Sequence, residues 1–179
     1  MPPDVRSSSS LRTRPPCQRF ISFTGSTATG RHILNAAGSN FKKVTLELGG
    51  KSPAIVFADA DIEAAAQGIA EGIFSNAGQV CVASSRLYAD RKIYDPLLDA
   101  IARHAAALKI GHALAQDTVM GPLISAGHRA NVDHLVQTGI RDGARLVSGG
   151  AALDRDGYFY EPTILADVKQ DMTVVREEI

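Results

Sequence analysis

Two cysteines, Cys17 and Cys81, are all that the 179 residues contain. They form no Cys-x-x-Cys spacing and cannot build a disulfide framework, which excludes a stapled secreted scaffold and a cysteine-based zinc or dithiol site. The five histidines, His32, His104, His112, His128 and His134, follow no metal-ligand pattern and read as solvated or helix-face residues. Nineteen basic residues are matched by nineteen acidic ones, so no net field draws the chain to nucleic acid or to an anionic membrane. Apolar residues never run to the ~18 that a membrane-spanning helix needs. There is no internal repeat and no full Gly-x-Gly-x-x-Gly fingerprint. What these absences leave is a soluble, cytoplasmic globular class.

Residues 1–19 differ from the rest. They carry Ser7 to Ser10, four prolines and four arginines against the single acid Asp4, too little apolar surface to offset the entropy of ordering. The bias toward arginine and serine would suit an organelle transit peptide, but the prolines interrupt any amphipathic period. The segment is read as a disordered tail, foreign to the remainder and joined to it by a mis-set start or a shifted reading frame.

From Phe20 onward strands alternate with helices. Phe20 to Thr24 is a β run, and Ser26 caps a helix through Ala37. Val44 to Leu48 and Ala54 to Phe57 are strands, the second apolar throughout as in a strand covered on both faces. A helix from Asp61 sets Ile62, Ala66, Ile69 and Ile73 on one stripe. Another, capped by Asp95 with Pro96 in its first turn, aligns Leu97, Leu98, Ile101, Ala105 and Leu108. Leu87 to Ala89 is a strand between them, Ala126 to Ile140 a helix, Arg145 to Ser148 a strand, and Tyr158 to Leu165 extended with a bend at Pro162. The order predicts a layered α/β fold with a largely parallel sheet.

Two segments carry chemistry. Glu47 lies in Val44-Thr-Leu-Glu-Leu48, followed by Gly49-Gly50-Lys51, and Cys81 ends Asn76-Ala-Gly-Gln-Val-Cys81, 34 positions later. A carboxylate base and a thiol, each approached through glycine-rich backbone, suit covalent attack on a carbonyl followed by attack of an activated water. Taken singly, Cys81 reads equally as a small buried hydrophobe and Glu47 as the outward member of an alternating strand. Lys51 reads as structural or solvated. The strand, glycine turn and helix start at Thr24, Gly25 and Ser26 could receive a phosphate on free N–H groups at the positive helix end, or Gly25 could provide a turn and nothing more.

The wording of four segments decides between these readings. Phe23-Thr-Gly-Ser-Thr27, Leu46-Glu-Leu-Gly-Gly-Lys-Ser-Pro53, Gly78-Gln-Val-Cys81 and Arg176-Glu-Glu-Ile179 occur in the order found in the aldehyde dehydrogenase superfamily, which this chain resembles from about Phe20 to its last residue. The resemblance implies NAD(P)-dependent oxidation of an aldehyde substrate to a carboxylic acid, with NAD the commoner cofactor and NADP open. It assigns Cys81 as the nucleophile that forms a thiohemiacetal and then a thioester, and Glu47 as the general base for the hydrolytic water. Gly25 and Ser26 would meet the cofactor's pyrophosphate, and Glu178 the nicotinamide ribose hydroxyls. A base working near neutral pH calls for partial burial of Glu47. Asn76, Gly78 and Gln79 would support the thiol's loop, and no metal is involved.

By the same resemblance the chain is expected to be a fragment, truncated at both ends. Residues 20–48 would be a remnant of the dinucleotide-binding domain and 49–179 an incomplete aldehyde dehydrogenase catalytic domain, stopping inside a Glu-Ile-Phe-Gly-Pro segment. The full-length parent would be a homo-oligomer without nucleic-acid or membrane partners. A catalytically inert fragment and a cofactor-independent thiol esterase stand beside the dehydrogenase reading as alternatives.

Overall fold

The computed structural model describes residues 20–179, so the tail expected over residues 1–19 lies outside the described residues. The described chain falls into two compact units that meet at Leu48 and Gly49 in the sequence.

The first unit is a single βαβ element. Strand β1 (Phe20–Gly25) and strand β2 (Lys43–Leu48) pair in parallel, from Phe20 opposite Lys43 to Gly25 opposite Leu48. Helix α1 (Thr27–Gly38) makes the crossover. Both strands alternate, so Ile21, Phe23, Val44, Leu46 and Leu48 are partly covered while Lys43, Thr45 and Glu47 face outward. Ser26 caps α1 as the sequence predicts, its hydroxyl accepting from the Thr29 N–H at 3.2 Å. Gly30 is the close-approach point, because a Cβ there would come within 2.7 Å of the Leu48 side chain.

The second unit begins with strand β3 (Pro53–Val56), helix α2 (Ile62–Phe74) and strand β4 (Arg86–Ala89), the two strands again parallel. Asp61 caps α2 through the Ala64 N–H. Helix α3 (Tyr94–Ala107) packs on α2, and their apolar stripes enclose Val56, Ala66, Ile93, Leu97, Ala100 and Ile101. Two features differ from the sequence reading. Asp95 does not cap α3: the cap position is Ile93, whose side chain is buried in that core and makes no capping bond, so Asp95 sits in the first turn and meets the positive helix end there. Strand β3 is not covered on both faces either. Val56 is 8% exposed but Ile55 is 62% exposed, because the helices cover the face that Val56 presents and Ile55 points to the opposite one.

Helix α4 (Ala126–Arg141), strands β5 (Arg145–Ser148) and β6 (Ile164–Ala166) and the short helix α5 (Thr173–Arg176) complete the unit. The β5–β6 pair is antiparallel. Gly149 and Gly150, at φ 71° and 97°, turn the chain back after β5, a conformation that side-chain-bearing residues rarely adopt. Of the extended run predicted over Tyr158 to Leu165, Ile164 and Leu165 enter the β5–β6 ladder, and Tyr160 makes an isolated bridge to Ala152; Pro162 has no N–H to donate. The fold is α/β with parallel strands in β1–β2 and β3–β4, as expected, and one antiparallel pair that the alternation of elements did not reveal. Among the described residues no helix is long and apolar enough to cross a membrane.

Candidate functional site

The thiol is presented by an unusual piece of backbone. Beyond Phe74 the chain leaves α2 through a turn at Ser75–Gly78 in which Asn76 (φ 50°, ψ 34°), Ala77 (φ 55°, ψ 35°) and Gly78 (φ 77°) are all left-handed. Gly78 adopts this freely and asparagine tolerates it, but Ala77 is held there at a cost of about 1 kcal/mol or more. Hydrogen bonds close the turn. Asn76 Nδ2 donates to the Gln79 carbonyl at 3.2 Å, and the Asn76 carbonyl accepts from both Gln79 N (3.2 Å) and Gln79 Nε2 (3.0 Å). Gln79 Oε1 in turn accepts from the Ile124 N–H at 2.9 Å. Val80 N then donates to the Gly78 carbonyl, and Ala83 N to the Val80 carbonyl, both at 2.9 Å. Cys81 lies at the tip with a free, exposed thiol. Among the described residues the Cys81 and Val82 N–H groups make no backbone hydrogen bond.

Gly49 and Gly50 run beside this loop. A Cβ on Gly50 would stand 3.5 Å from the Cys81 carbonyl oxygen, and one on Gly49 would overlap the Glu178 carboxylate. The two glycines therefore bring Cys81 and Glu178 to neighbouring stretches of one backbone segment, and a side chain at position 49 would displace the Glu178 carboxylate from its place there. A cavity of about 600 Å³ opens here, with Gly50, Lys51, Gly78, Arg86 and Glu178 in its wall.

Lys51 is the residue that sequence reasoning passed over. It is half-buried in that wall, and its carbonyl accepts from Arg86 Nε at 2.8 Å. Burial first, and the Arg86 charge second, push its amine from 10.5 down to about 8, against the opposing pull of Glu178 and Glu177. No signal in the sequence marks this, because it depends on Arg86 and Glu178 arriving from distant positions. The unfolded chain holds the Lys51 proton more tightly than the folded chain, so below pH 8 the full cost of the buried ammonium is present. It is relieved as the pH rises from about 8 to 10.5. Lys51→Met is accordingly expected to stabilise the chain at pH 7 by roughly 1 kcal/mol, once solvent screening at a partly exposed site is allowed for. Urea unfolding at several pH values checks this: the gain should fade toward pH 10.5, and a gain that is independent of pH, or a loss at pH 7, contradicts it.

The other sequence-derived candidates belong to the first unit. Gly25 and Ser26 form the turn into α1, where the Ser26 hydroxyl accepts from Thr29 N and donates to Thr29 Oγ1 at 3.0 Å. The hydroxyl is thus engaged in capping, and the groups offered outward at this end are the first backbone N–H groups of α1. Glu47 pairs in register with Thr24, so within this unit Glu47 stands beside the Gly25–Ser26 turn. Its side chain is exposed, which corrects the expectation of partial burial: Glu47 holds the outward place of an alternating strand in a two-stranded pair. Glu47 falls in the first unit and Cys81 in the second. No group of three or more histidine, cysteine, aspartate or glutamate side chains that could hold a metal ion occurs among the described residues.

The sequence model of the aldehyde dehydrogenase family matches residues 6–179, reaching upstream of the Phe20 at which the sequence reading starts the resemblance. Betaine aldehyde dehydrogenase of Bacillus subtilis is 46% identical over 164 residues, which cover 89% of this chain and 34% of that protein. The crystal structure of NAD-dependent aldehyde dehydrogenase from Sinorhizobium meliloti superposes with a TM-score of 0.88 at 42% identity, covering 89% of this chain and 32% of that one. The NAD+ complex of aldehyde dehydrogenase from Bacillus cereus gives a TM-score of 0.87 at 42% identity, over 89% and 33% of the two chains. The chain spans about a third of the length of these relatives.

Proposed function

The chain belongs to the aldehyde dehydrogenase family, and we propose that it supplies the thiol nucleophile and the hydrolytic base for oxidation of an aldehyde to a carboxylic acid. The observation that carries this reading is the exposed Cys81 thiol on a loop locked by a left-handed turn, with the Cys81 and Val82 N–H groups making no backbone hydrogen bond among the described residues.

The Cys81 thiolate adds to the aldehyde carbon, and the oxygen gains negative charge that an N–H at the loop tip is suited to hold. NAD, which the Bacillus cereus relative binds, would supply a hydride acceptor when bound, and Cys81 would then carry the acyl group as a thioester. The groups present suit such a cofactor: the N–H groups that follow Gly25 and Ser26 are donors for a pyrophosphate, and the Glu178 carboxylate is an acceptor for ribose hydroxyls. Glu47 takes a proton from the water that attacks the thioester, freeing the acid and the Cys81 thiolate.

Grafting tests this. Residues 20–179 would replace the matching third of the Sinorhizobium meliloti enzyme, and NADH absorbance would be followed with a simple aldehyde. Growth of NADH that vanishes on Cys81→Ser is the expected result. A folded chimera that cleaves nitrophenyl esters but forms no NADH would be a thiol esterase, and one silent in both assays would be inert; either outcome contradicts the proposal.

A further inference from the structure

Outside the proposed chemistry, a hydrogen bond ties the cysteine loop to a segment 45 residues away. The Gln79 side chain hydrogen-bonds to both. Its Nε2 donates to the Asn76 carbonyl at the start of the left-handed turn, and its Oε1 accepts from the Ile124 N–H. Ile124 immediately precedes Ser125, which caps α4 by accepting from the His128 N–H at 3.1 Å. One amide thus joins the strained turn to the start of a sixteen-residue helix.

The strain says which way the loop would move without that tie. Ala77 has no side-chain bond to hold it left-handed, and a right-handed Ala77 would redirect every atom that follows, Cys81 included. The buried residues of α2, Ala66, Ala70 and Phe74, all precede the turn, while the turn itself seats Ala77 against the cluster of Phe74 and Met120 and that of Leu123, Val136 and Tyr160. The turn also governs the direction in which the next residues present the Cys81 thiol and the N–H groups beside it.

We infer that Gln79 is a positioning residue, which by bridging Asn76 and Ile124 holds the Cys81 loop so that thiol and N–H groups meet the same carbonyl. The inference rests on the reading of Cys81 as a nucleophile toward carbonyls. Gln79 itself touches no reacting atom.

Two reactions of the same sulfur separate positioning from mere accessibility. With 4-nitrophenyl acetate, the thiolate forms a bond to the acetyl carbon and nitrophenolate leaves with the electron pair of the broken C–O bond; the passing oxyanion needs nearby donors. With iodoacetamide, sulfur displaces iodide and no oxyanion forms. Both rates are measured at Cys81 of the 179-residue chain by peptide mapping, so that Cys17 does not contribute, and their ratio is referred to that of N-acetylcysteine. Wild type is expected to show a raised ratio of acylation to alkylation. Gln79→Ala should lower acylation by roughly tenfold or more while alkylation stays within about threefold, with amide protection in α2 and α3 retained and that of Ile124 lost. Gln79→Glu keeps an acceptor for Ile124 but loses the donor to Asn76, and should fall between the two. A raised wild-type ratio that Gln79→Ala leaves unchanged overturns the positioning role alone. A wild-type ratio equal to that of N-acetylcysteine removes the nucleophile reading, and the positioning role with it.

Discussion

Cys81→Ser is expected to slow covalent capture of an acyl group by this chain on the order of 10³-fold or more, because a serine hydroxyl with no adjacent base is almost wholly un-ionised where a thiol is partly thiolate. The substitution changes one atom on an exposed loop tip, so folding should be unaffected. Nitrophenolate release under single-turnover conditions measures the effect, with Cys17→Ser as the companion variant. Release that survives Cys81→Ser and disappears with Cys17→Ser would move the nucleophile to a different part of the chain.

The second large effect concerns the whole reaction. Produced as these 179 residues alone, the chain should oxidise aldehydes about 10⁵-fold more slowly than the chimera in which it replaces the matching third of a relative. Bringing cofactor and substrate together in reactive orientation contributes roughly 7 kcal/mol or more to such a step, and each 1.36 kcal/mol is about tenfold in rate. The chain corresponds to about a third of proteins such as the Sinorhizobium meliloti enzyme, and the N–H groups after Ser26 and the Glu178 carboxylate would contact a limited part of a dinucleotide. NADH formation by the two proteins at equal concentration checks this. Rates within tenfold of each other would mean that the 179 residues orient the cofactor unaided.

The elements were legible where local chemistry dictates them. Ser26 and Asp61 announce α1 and α2 because their side chains satisfy helix N–H groups a few residues on. The alternation in β2 marked Glu47 as the outward member of its strand, whereas the partial burial expected of a base at this position is not met. Features that depend on distant partners were not legible. The apolar run of β3 does not say which of its faces a helix covers, so the bare side of Ile55 came from the tertiary arrangement. Ala77 carries no sign of a left-handed conformation, which is imposed by Asn76, Gln79 and a bond to Ile124. The lowered Lys51 amine reflects burial first and the Arg86 charge second, and the Glu178 carboxylate lies where a side chain on Gly49 would stand. The motif wording identified the family, while the physical constraints on its loops emerged from the fold.

The most direct test of the central claim is mass mapping of the acyl intermediate. The chimera is mixed with an aldehyde and NAD+, quenched within one turnover and digested. The account predicts an acyl increment on the peptide containing Cys81, transient in the parent chimera and longer-lived by about 10²-fold or more with Glu47→Gln, since a general base typically contributes that much to such a step. An increment on any other residue, or an equal lifetime with and without the Glu47 carboxylate, would contradict it.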